Sequence, residues 1–194
     1  MKVRMRLIPL LLLAVILTAP AGAPGTAEAG SDYKRSLERY TLPDVTLVNQ
    51  DGKKVKLLAL VNSGKPVVVD FIYGTCTTIC PVLSAGFVNF QNRLGADSTK
   101  AQLISISIDP DNDTPAVMKK YLKNYRAKPG WDFLSGSRQD IDKVMYAFDA
   151  YVTNKMSHYP IMFMRAPGSD QWVRIYGLIG TSDFMKEYER TVQK

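Results

Sequence analysis

The chain contains 194 residues, carries a formal net charge of +7 and has only two cysteines. This length suits one domain with an ordinary hydrophobic core, and two cysteines are too few for a disulfide scaffold. The basic residues are scattered, with no basic stripe interleaved with aromatic residues and no nucleic-acid motif, so we expect no nucleic-acid partner. The positive charge instead favours solubility and attraction to an acidic partner or a membrane surface.

The first residues are typical of an export signal. Three positive charges lie within Met1–Arg6, and an apolar run of 13 residues extends from Leu7 to Ala19. This run is short against the roughly 20 residues that a membrane-spanning helix needs, which favours cleavage after Ala29 over a retained anchor. We therefore assign residues 1–29 to a signal peptide, with an N-terminal anchor as the alternative. The mature chain is then expected in the bacterial periplasm or at the outer face of the cytoplasmic membrane, where disulfides persist.

A polar segment and a hairpin come next. Residues 30–40 are predicted to form a flexible lead-in, and residues 41–194 the folded domain. Apolar and polar residues alternate in Asp44–Val48 and in Lys54–Leu57, on either side of the turn sequence 49–52. This alternation predicts a β-hairpin, which we place at the N-terminal edge of the domain.

Both cysteines follow an apolar, β-branched run that ends at Gly74. Such a run predicts a strand buried on both faces, as in a parallel sheet, with a helix after it. If the helix begins near Cys76, its free N–H groups and its dipole favour the Cys76 thiolate, which makes this sulfur the reactive one. Spacing i, i+4 then places Cys80 on the same helix face, where the sulfurs can bind one metal ion or, in a loose first turn, form a disulfide. The alternative is an inert buried pair or a structural disulfide.

The rest of the chain alternates predicted helices and strands. A helix follows the cysteines and ends at Gly95, and further helices begin at caps near Asp113, Ser137 and Ser182. Strands are predicted at four later places, residues 102–108, 131–134, 161–164 and 172–176. A helix between successive strands implies an α/β fold with a central parallel sheet and right-handed crossovers, and the closing hairpin adds antiparallel strands.

The chain has one histidine, His158, which lies just before a predicted strand. A loop at that end of the sheet can face the crossover that holds Cys76 and Cys80. Iron–sulfur clusters and structural zinc sites need four ligands, and these residues supply only three. Two thiolates and one imidazole suit copper, with Cu(I) favoured by the sulfurs and Cu(II) supported by the imidazole. Zinc with an open coordination position is the alternative.

Three motifs in this order resemble those of the Sco/SenC proteins, namely Tyr73–Pro81, Ser105–Pro115 and His158 before an apolar strand. The resemblance covers nearly all of the mature chain. It implies a thioredoxin-like fold, with a central mixed sheet flanked by helices, in an exported or membrane-anchored protein. It also implies that Cys76, Cys80 and His158 bind copper as Cu(I) or Cu(II).

The same resemblance implies a role and partners. Sco/SenC proteins help to mature the two-copper centre of cytochrome c oxidase, by handing over copper, by reducing that centre's cysteines, or by both. The implied partners are a copper-enzyme client, such as a cytochrome c oxidase subunit, and a copper donor protein near the membrane. Asp109 matches the family's acidic residue near the site, so we expect it to act behind the metal ligands or in partner docking. The alternative for Asp109 is a turn or cap before Pro110.

The chain departs from the family at two places beside the site. Lys155-Met156-Ser157 precedes His158, where family members often carry an aspartate, and Thr77-Thr78 stands where Pro-Asp is common. Electrostatic support for imidazole binding is therefore expected either to be weaker or to come from another group. For Met156, a flexible apolar residue that fills a gap is favoured, with a thioether ligand as the alternative. The peptide bond before Pro160 is predicted to be cis, as is common at the matching strand entry of thioredoxin-like folds.

Two functions remain open on the sequence alone. A copper-binding chaperone needs all three ligands, whereas a thiol–disulfide oxidoreductase needs Cys76 and Cys80 but not His158. A peroxidase of similar fold is a third alternative, although no recognisable arginine arrangement accompanies the cysteines.

Overall fold

The computed structural model describes residues 33–193, and the predicted signal segment, residues 1–29, lies outside them. The strands are β1 (Lys34–Arg39), β2 (Thr46–Asn49), β3 (Lys54–Lys56), β4 (Val67–Ile72), β5 (Gln102–Ser107), β6 (Trp131–Ser135), β7 (Ile161–Arg165) and β8 (Gln171–Tyr176). The helices are α1 (Leu57–Val61), α2 (Cys80–Leu94), α3 (Pro115–Asn124), α4 (Arg138–Ala147) and α5 (Thr181–Val192). Short 3-10 turns lie at Ser98–Lys100 and Lys155–Ser157.

The eight strands form one mixed sheet in the order β1-β8-β7-β4-β5-β6-β2-β3. β4 and β5 lie at its centre and pair in parallel, as do β5 and β6, whereas β7 pairs antiparallel with both β4 and β8. Every residue of β4 and β5 is buried, which confirms the predicted strands with both faces covered. Burial of one Val or Ile side chain is worth about 2 kcal/mol, so these strands form a stable base for the loop that follows β4.

Aromatic side chains pack both faces of the sheet. Neighbouring residues of β4 point to opposite faces. Phe71 packs on one face against Phe148, which follows α4, with ring centroids 5.7 Å apart. On the other face, Phe87 of α2 packs against Trp131 of β6 at 5.3 Å. The helices thus cover the two faces, and the functional residues described below lie in the loops at the carboxyl end of β4 and before β7.

The N-terminal part of the described chain forms both edges of the sheet. The hairpin of β2 and β3 lies at one edge, as predicted, and α1 begins at Leu57, where the prediction continued the strand. At the other edge, β1 pairs antiparallel with β8 along its whole length. This strand differs from the flexible lead-in predicted for residues 30–40. An edge strand rich in charged residues lacks the alternation from which a strand is predicted.

Helix boundaries follow the capping residues. Thr114 caps α3 with its side chain and Pro115 follows at the first helical position, as the sequence Asp113-Thr114-Pro115 predicts. Ser137 caps α4 as predicted. α5 begins at Thr181, so Ser182 lies inside the helix and does not cap it. Sequence patterns therefore locate α3, α4 and α5, and among these three only α5 begins elsewhere, two residues before its predicted start at Asp183.

Two findings concern the whole of residues 33–193. No helix in this range has the length and apolar character needed to cross a membrane. No peptide bond in this range is cis, so the prediction of a cis bond before Pro160 is wrong. The trans isomer is the one that X–Pro bonds ordinarily favour, by about 0.5–1 kcal/mol.

Candidate metal centre

The loop of residues 73–79, here called the cysteine loop, connects β4 to α2. α2 begins at Cys80, one turn later than the predicted start near Cys76. Pro81 accounts for the difference, because proline suits the first turn of a helix, where its missing N–H is not needed. Cys76 lies in the loop, and its N–H donates to the Tyr73 carbonyl at 3.2 Å. The prediction that both cysteines share one helix face is therefore wrong, and the loop itself brings the two sulfurs together.

Asp113 holds the cysteine loop in place. Its carboxylate accepts the Gly74 N–H at 3.0 Å and the Ser107 hydroxyl at 2.5 Å. A Cβ atom at Gly74 would lie 2.7 Å from Asp113 Oδ1 and 3.0 Å from a methyl carbon of Val117. Only glycine permits this close approach of loop and helix. Asp113 thus anchors the loop, while its neighbour Thr114 caps α3.

His158 follows the 3-10 turn Lys155–Ser157 and faces the cysteines. Its Nδ1 lies 2.7 Å from the carbonyl oxygen of Lys155, and its Nε2 lies 3.3 Å from the sulfur of Cys80. The sulfurs of Cys76 and Cys80 and one ring nitrogen of His158 all lie within 4.8 Å of one another. The fold thus brings together the three residues that the sequence singles out as candidate ligands.

The hydrogen bonds of His158 determine which ring nitrogen is free. A carbonyl oxygen can only accept, so Nδ1 donates its proton to Lys155 and Nε2 keeps a lone pair. Burial lowers the pKa of His158, although the hydrogen bond to Lys155 partly opposes this shift. The ring is therefore neutral at neutral pH, with Nε2 available as a ligand.

The two thiols differ in acidity. Burial raises the pKa of Cys76, but hydrogen bonds from the Cys80 and Thr78 side chains and backbone outweigh burial and bring the value to about 7. Burial and the neighbouring Cys76 raise the pKa of Cys80 far above its ordinary value. The backbone N–H of Cys80, at the start of α2, thus helps to stabilise the Cys76 thiolate, although Cys76 itself lies outside the helix. At neutral pH the site holds a partly ionised Cys76 beside a protonated Cys80.

Asp109 supports the turn that carries His158. It is buried, and its carboxylate accepts hydrogen bonds from Lys155 Nζ at 2.5 Å and from the Asn112 side chain at 3.0 Å. Burial alone would raise the pKa of Asp109, but these hydrogen bonds and the Lys155 charge lower it below the usual value. Lys155 is thereby anchored, and its carbonyl orients the imidazole in place of the aspartate that the resemblance leads one to expect.

Tyr73 belongs to the site, although the sequence motifs assign it no role. Its buried ring lies edge-on to His158, with centroids 5.3 Å apart, and its hydroxyl donates to the Met156 sulfur at 3.2 Å. The Lys155 ammonium lies 5.3 Å from the ring centre. Burial and the hydrogen bond with Cys76 raise the pKa of Tyr73 to about 12, so the hydroxyl stays protonated. The available sequence signal is its position at the end of the cysteine strand.

Asp70 is a second residue that the motifs do not single out. It lies within β4, is fully buried, and neither of its carboxylate oxygens has a hydrogen-bond partner among the described residues. Burial raises the pKa of Asp70 to about 7, and the nearby Ser105 hydroxyl offsets only part of this rise. That hydroxyl already accepts from the Trp131 indole at 3.0 Å. The charge of Asp70 also contributes to the raised pKa of Cys80, so Asp70 lies close behind the site.

Fold and site together define a class of protein. A central mixed sheet flanked by helices, with one cysteine in the loop before α2, the other at the first residue of α2 and a histidine before β7, makes this a thioredoxin-like protein with a sulfur and imidazole site. The family model described as SCO1/SenC matches residues 35–186. The chain therefore belongs to the SCO1/SenC family, which confirms the resemblance of its motifs.

Individual relatives agree with this assignment. The SCO1 protein homolog of Bacillus subtilis is 39% identical over 116 residues, which cover 58% of this chain and 59% of that protein. A structure of BsSco, a member of the Sco family of cytochrome c oxidase assembly proteins with a disulfide switch, is 30% identical with a TM-score of 0.66, and the match covers 79% of this chain and 94% of that one. Bradyrhizobium japonicum ScoI with copper bound is 28% identical with a TM-score of 0.63, over 76% of this chain and 96% of that one. The match thus spans less than two thirds of the length of the Bacillus subtilis relative.

Proposed function

We propose that Cys76, Cys80 and His158 bind one copper ion and that the protein is an exported copper metallochaperone. The observation that carries the proposal is the convergence of two sulfurs and one ring nitrogen within 4.8 Å. Thiolate sulfur is the ligand that Cu(I) prefers, and imidazole accommodates Cu(II), so this set of donors suits copper in both oxidation states. The copper-bound structure of Bradyrhizobium japonicum ScoI supports the same cargo.

The protonation states of the three residues favour binding that begins at Cys76. With a pKa of about 7, Cys76 offers a thiolate at neutral pH. Cys80 has to lose its proton on binding, because the thiolate and not the thiol is the ligand. His158 already presents the lone pair of Nε2, since its other nitrogen donates to Lys155. Copper binding therefore releases protons, and copper affinity rises with pH.

Asp109 acts, in this proposal, by positioning a ligand. It is only 5% exposed, which leaves little surface for docking a partner. Its ion pair with Lys155 holds the turn whose carbonyl fixes the His158 ring. Such partners of metal-ligating histidines raise metal affinity by restricting the ring to one orientation.

The client proposed is a copper enzyme, with a cytochrome c oxidase subunit as the first candidate. BsSco, a member of the Sco family of cytochrome c oxidase assembly proteins, supports this choice. A separate copper donor protein would load the site. The basic residues of Met1–Arg6 and the apolar run after them support export to the periplasm or the outer face of the membrane.

A thiol–disulfide oxidoreductase is the second candidate function. The observation that favours it is the contrast between Cys76, whose pKa is about 7, and Cys80, whose pKa is raised. An acidic thiol attacks a disulfide as its thiolate, and a buried neighbouring thiol then resolves the mixed disulfide. This reaction needs both cysteines and does not require His158.

Copper retention and disulfide reduction, measured on the same samples, separate the two functions. Reduced, metal-free protein receives one equivalent of Cu(I), is passed through a desalting column and is assayed for bound copper. Reduction of an oxidised dithiol peptide is followed in parallel for the wild type, His158→Ala and a Cys76→Ser, Cys80→Ser double variant. A metallochaperone retains one copper per chain. A wild type that retains none, with peptide reduction equal in His158→Ala, would overturn the copper proposal in favour of the oxidoreductase.

A further inference from the structure

Met156 differs from the methionines of the core. Its side chain is 68% exposed, whereas Met145, Met162 and Met164 are at most 2% exposed. The expectation that Met156 fills a gap is therefore wrong. Single exposed apolar residues are common on protein surfaces, so what distinguishes Met156 is the contact of its exposed thioether with Tyr73, a residue of the metal centre.

The Met156 sulfur lies at the edge of the metal centre. The Tyr73 hydroxyl donates to it at 3.2 Å, and the ring of the same tyrosine lies edge-on to the His158 imidazole at 5.3 Å. The backbone N–H of Met156 donates to the Asn154 side chain at 2.9 Å. The main chain at Met156 is therefore held, while one weak hydrogen bond holds an otherwise exposed and flexible side chain.

We propose that the Met156 thioether is a transfer ligand, which holds Cu(I) while the ion enters or leaves the site formed by Cys76, Cys80 and His158. This inference rests on the copper function proposed above. A thioether is a soft, neutral donor that suits Cu(I) and has no proton to lose. It can therefore take the ion at any pH and release it to two thiolates, which bind more tightly because they carry charge.

The transfer is a ligand exchange without a redox step. Copper remains Cu(I) throughout: the Cys76 thiolate bonds to the ion while Met156 still holds it, and the bond to the Met156 sulfur breaks as bonds to Cys80 and to Nε2 of His158 form. Cys80 gives its proton to water when its sulfur binds. The Tyr73 hydroxyl donates to the Met156 sulfur again once the ion has passed, so it stabilises the empty thioether between transfers.

The first test compares rates with equilibrium affinity in Met156→Leu, which keeps the volume of the side chain and removes the sulfur. Met185→Leu on α5, where the side chain is partly buried against the core, is the matched control. Stopped-flow measurements follow Cu(I) exchange with bathocuproine disulfonate under anaerobic, reducing conditions. We expect loading and release to slow together by about tenfold in Met156→Leu and to stay unchanged in Met185→Leu, with the equilibrium affinity of both variants within about twofold of the wild type.

The possible results distinguish a failure of the Met156 proposal from a failure of the proposed copper function. Wild-type rates in Met156→Leu would overturn the proposal while one copper per chain remained bound. A loss of equilibrium affinity in Met156→Leu as large as that in His158→Ala would also overturn it, because Met156 would then be a permanent ligand. Failure of the wild type to bind Cu(I) at all would instead refute the copper function on which the proposal rests.

A spectroscopic readout tests contact between the sulfur and the ion directly. Protein labelled with ¹³C at the methionine methyl groups is titrated with Cu(I) in the wild type and in His158→Ala, and Met156→Leu identifies the Met156 signal by its absence. We expect the Met156 methyl signal to shift in His158→Ala, where the ion lacks one ligand, and the Met185 signal to stay in place. A Met156 signal that is unmoved in His158→Ala would rule out contact and overturn the proposal.

Discussion

The carbonyl oxygen of Lys155 accepts a hydrogen bond from Nδ1 of His158 at 2.7 Å. The side chain of the same lysine forms an ion pair with buried Asp109. Lys155 therefore orients the imidazole through its backbone and anchors its own turn through its side chain. Because Nδ1 is occupied, Nε2 faces the Cys80 sulfur with its lone pair free.

Replacing Asp109 with asparagine should loosen the turn that carries His158. We expect copper affinity to fall by about tenfold, within the roughly 10–100-fold cost of losing a group that orients a metal ligand. Competition with a chromophoric chelator measures the affinity. Asp111→Asn is the matched control, because Asp111 forms a more exposed ion pair with Arg138. Equal affinities in both variants and the wild type would show that the ion pair does not position His158.

The ion pair between Asp109 and Lys155 should also make the free energy of unfolding depend on pH. The pKa of Asp109 is lowered from 3.8, so its stabilising contribution is present above that value and is lost as pH falls through the folded-state pKa. Asp109→Asn should therefore be less stable than the wild type at neutral pH and approach it in acid. Urea unfolding at a series of pH values measures this difference, and a constant difference across the series would contradict the assignment.

Replacing His158 with alanine should weaken Cu(II) binding more than Cu(I) binding, because the sulfurs dominate the affinity for the softer ion. We expect the sulfur-to-copper charge-transfer absorption of the Cu(II) form to change. The affinity of the protein for Cu(II) should fall by more than about 10–100-fold, because that is the cost of losing only a residue that hydrogen-bonds a metal ligand, and here the ligand itself is lost. Absorption spectroscopy with parallel Cu(I) competition measures both. Cys80→Ser is the contrasting variant and should weaken both ions. An unchanged spectrum and stoichiometry in His158→Ala would remove His158 from the ligand set.

Cys76 should be alkylated before Cys80, with a rate that rises through pH about 7, because its thiolate forms there. Peptide mass spectrometry after short exposure to iodoacetamide locates the label. Thr78→Val should shift the midpoint upward, since the Thr78 hydroxyl lies 3.5 Å from the Cys76 sulfur. Preferential labelling of Cys80 would reverse the assignment of the reactive thiol.

Oxidation of Cys76 and Cys80 to a disulfide should exclude copper, so the two equilibria oppose each other. The cysteine loop is not helical at Cys76, so the sulfurs can approach to the bond length of about 2.05 Å without unwinding a helix turn. Copper is titrated into diamide-oxidised protein and into the same sample after reduction. Comparable affinity in both states would show that the cysteines are not the ligands and would favour thiol exchange as the function.

Asp70 should make the protein less stable as pH rises from about 4 to 7. Its pKa is raised from 3.8 to about 7 in the folded state, so the folded chain binds this proton more tightly than the unfolded chain over that range. A shift of this size corresponds to at most about 4 kcal/mol, and Asp70→Asn should abolish the dependence. Asp51→Asn, at an exposed ion pair with Lys119, should retain it. A pH profile of Asp70→Asn equal to the wild type would contradict the burial of an uncompensated carboxylate.

The chemistry of the site could be predicted from the sequence because the chain offers no other cysteine or histidine that could bind a metal in place of the candidate ligands. Cys76 and Cys80 are the two cysteines of the chain, and His158 is its one histidine. Soft donors of these types select few metals, and that choice depends on residue identity, not on geometry. Buried strands such as β4 and caps such as Ser137 are likewise local patterns, which a continuous apolar run or a single capping residue encodes.

The tertiary structure decided which distant groups hold those candidate ligands in place. The contact of Asp113 with Gly74 joins residues 39 apart, and that of Tyr73 with Met156 joins residues 83 apart. No local pattern encodes such separations, because they depend on how strands and helices pack across the sheet. The same holds for β1, whose charged residues become a strand only because β8 offers an unpaired edge. The sequence thus determined which atoms can bind a metal, and packing determined their orientation, their acidity and the exposed thioether beside them.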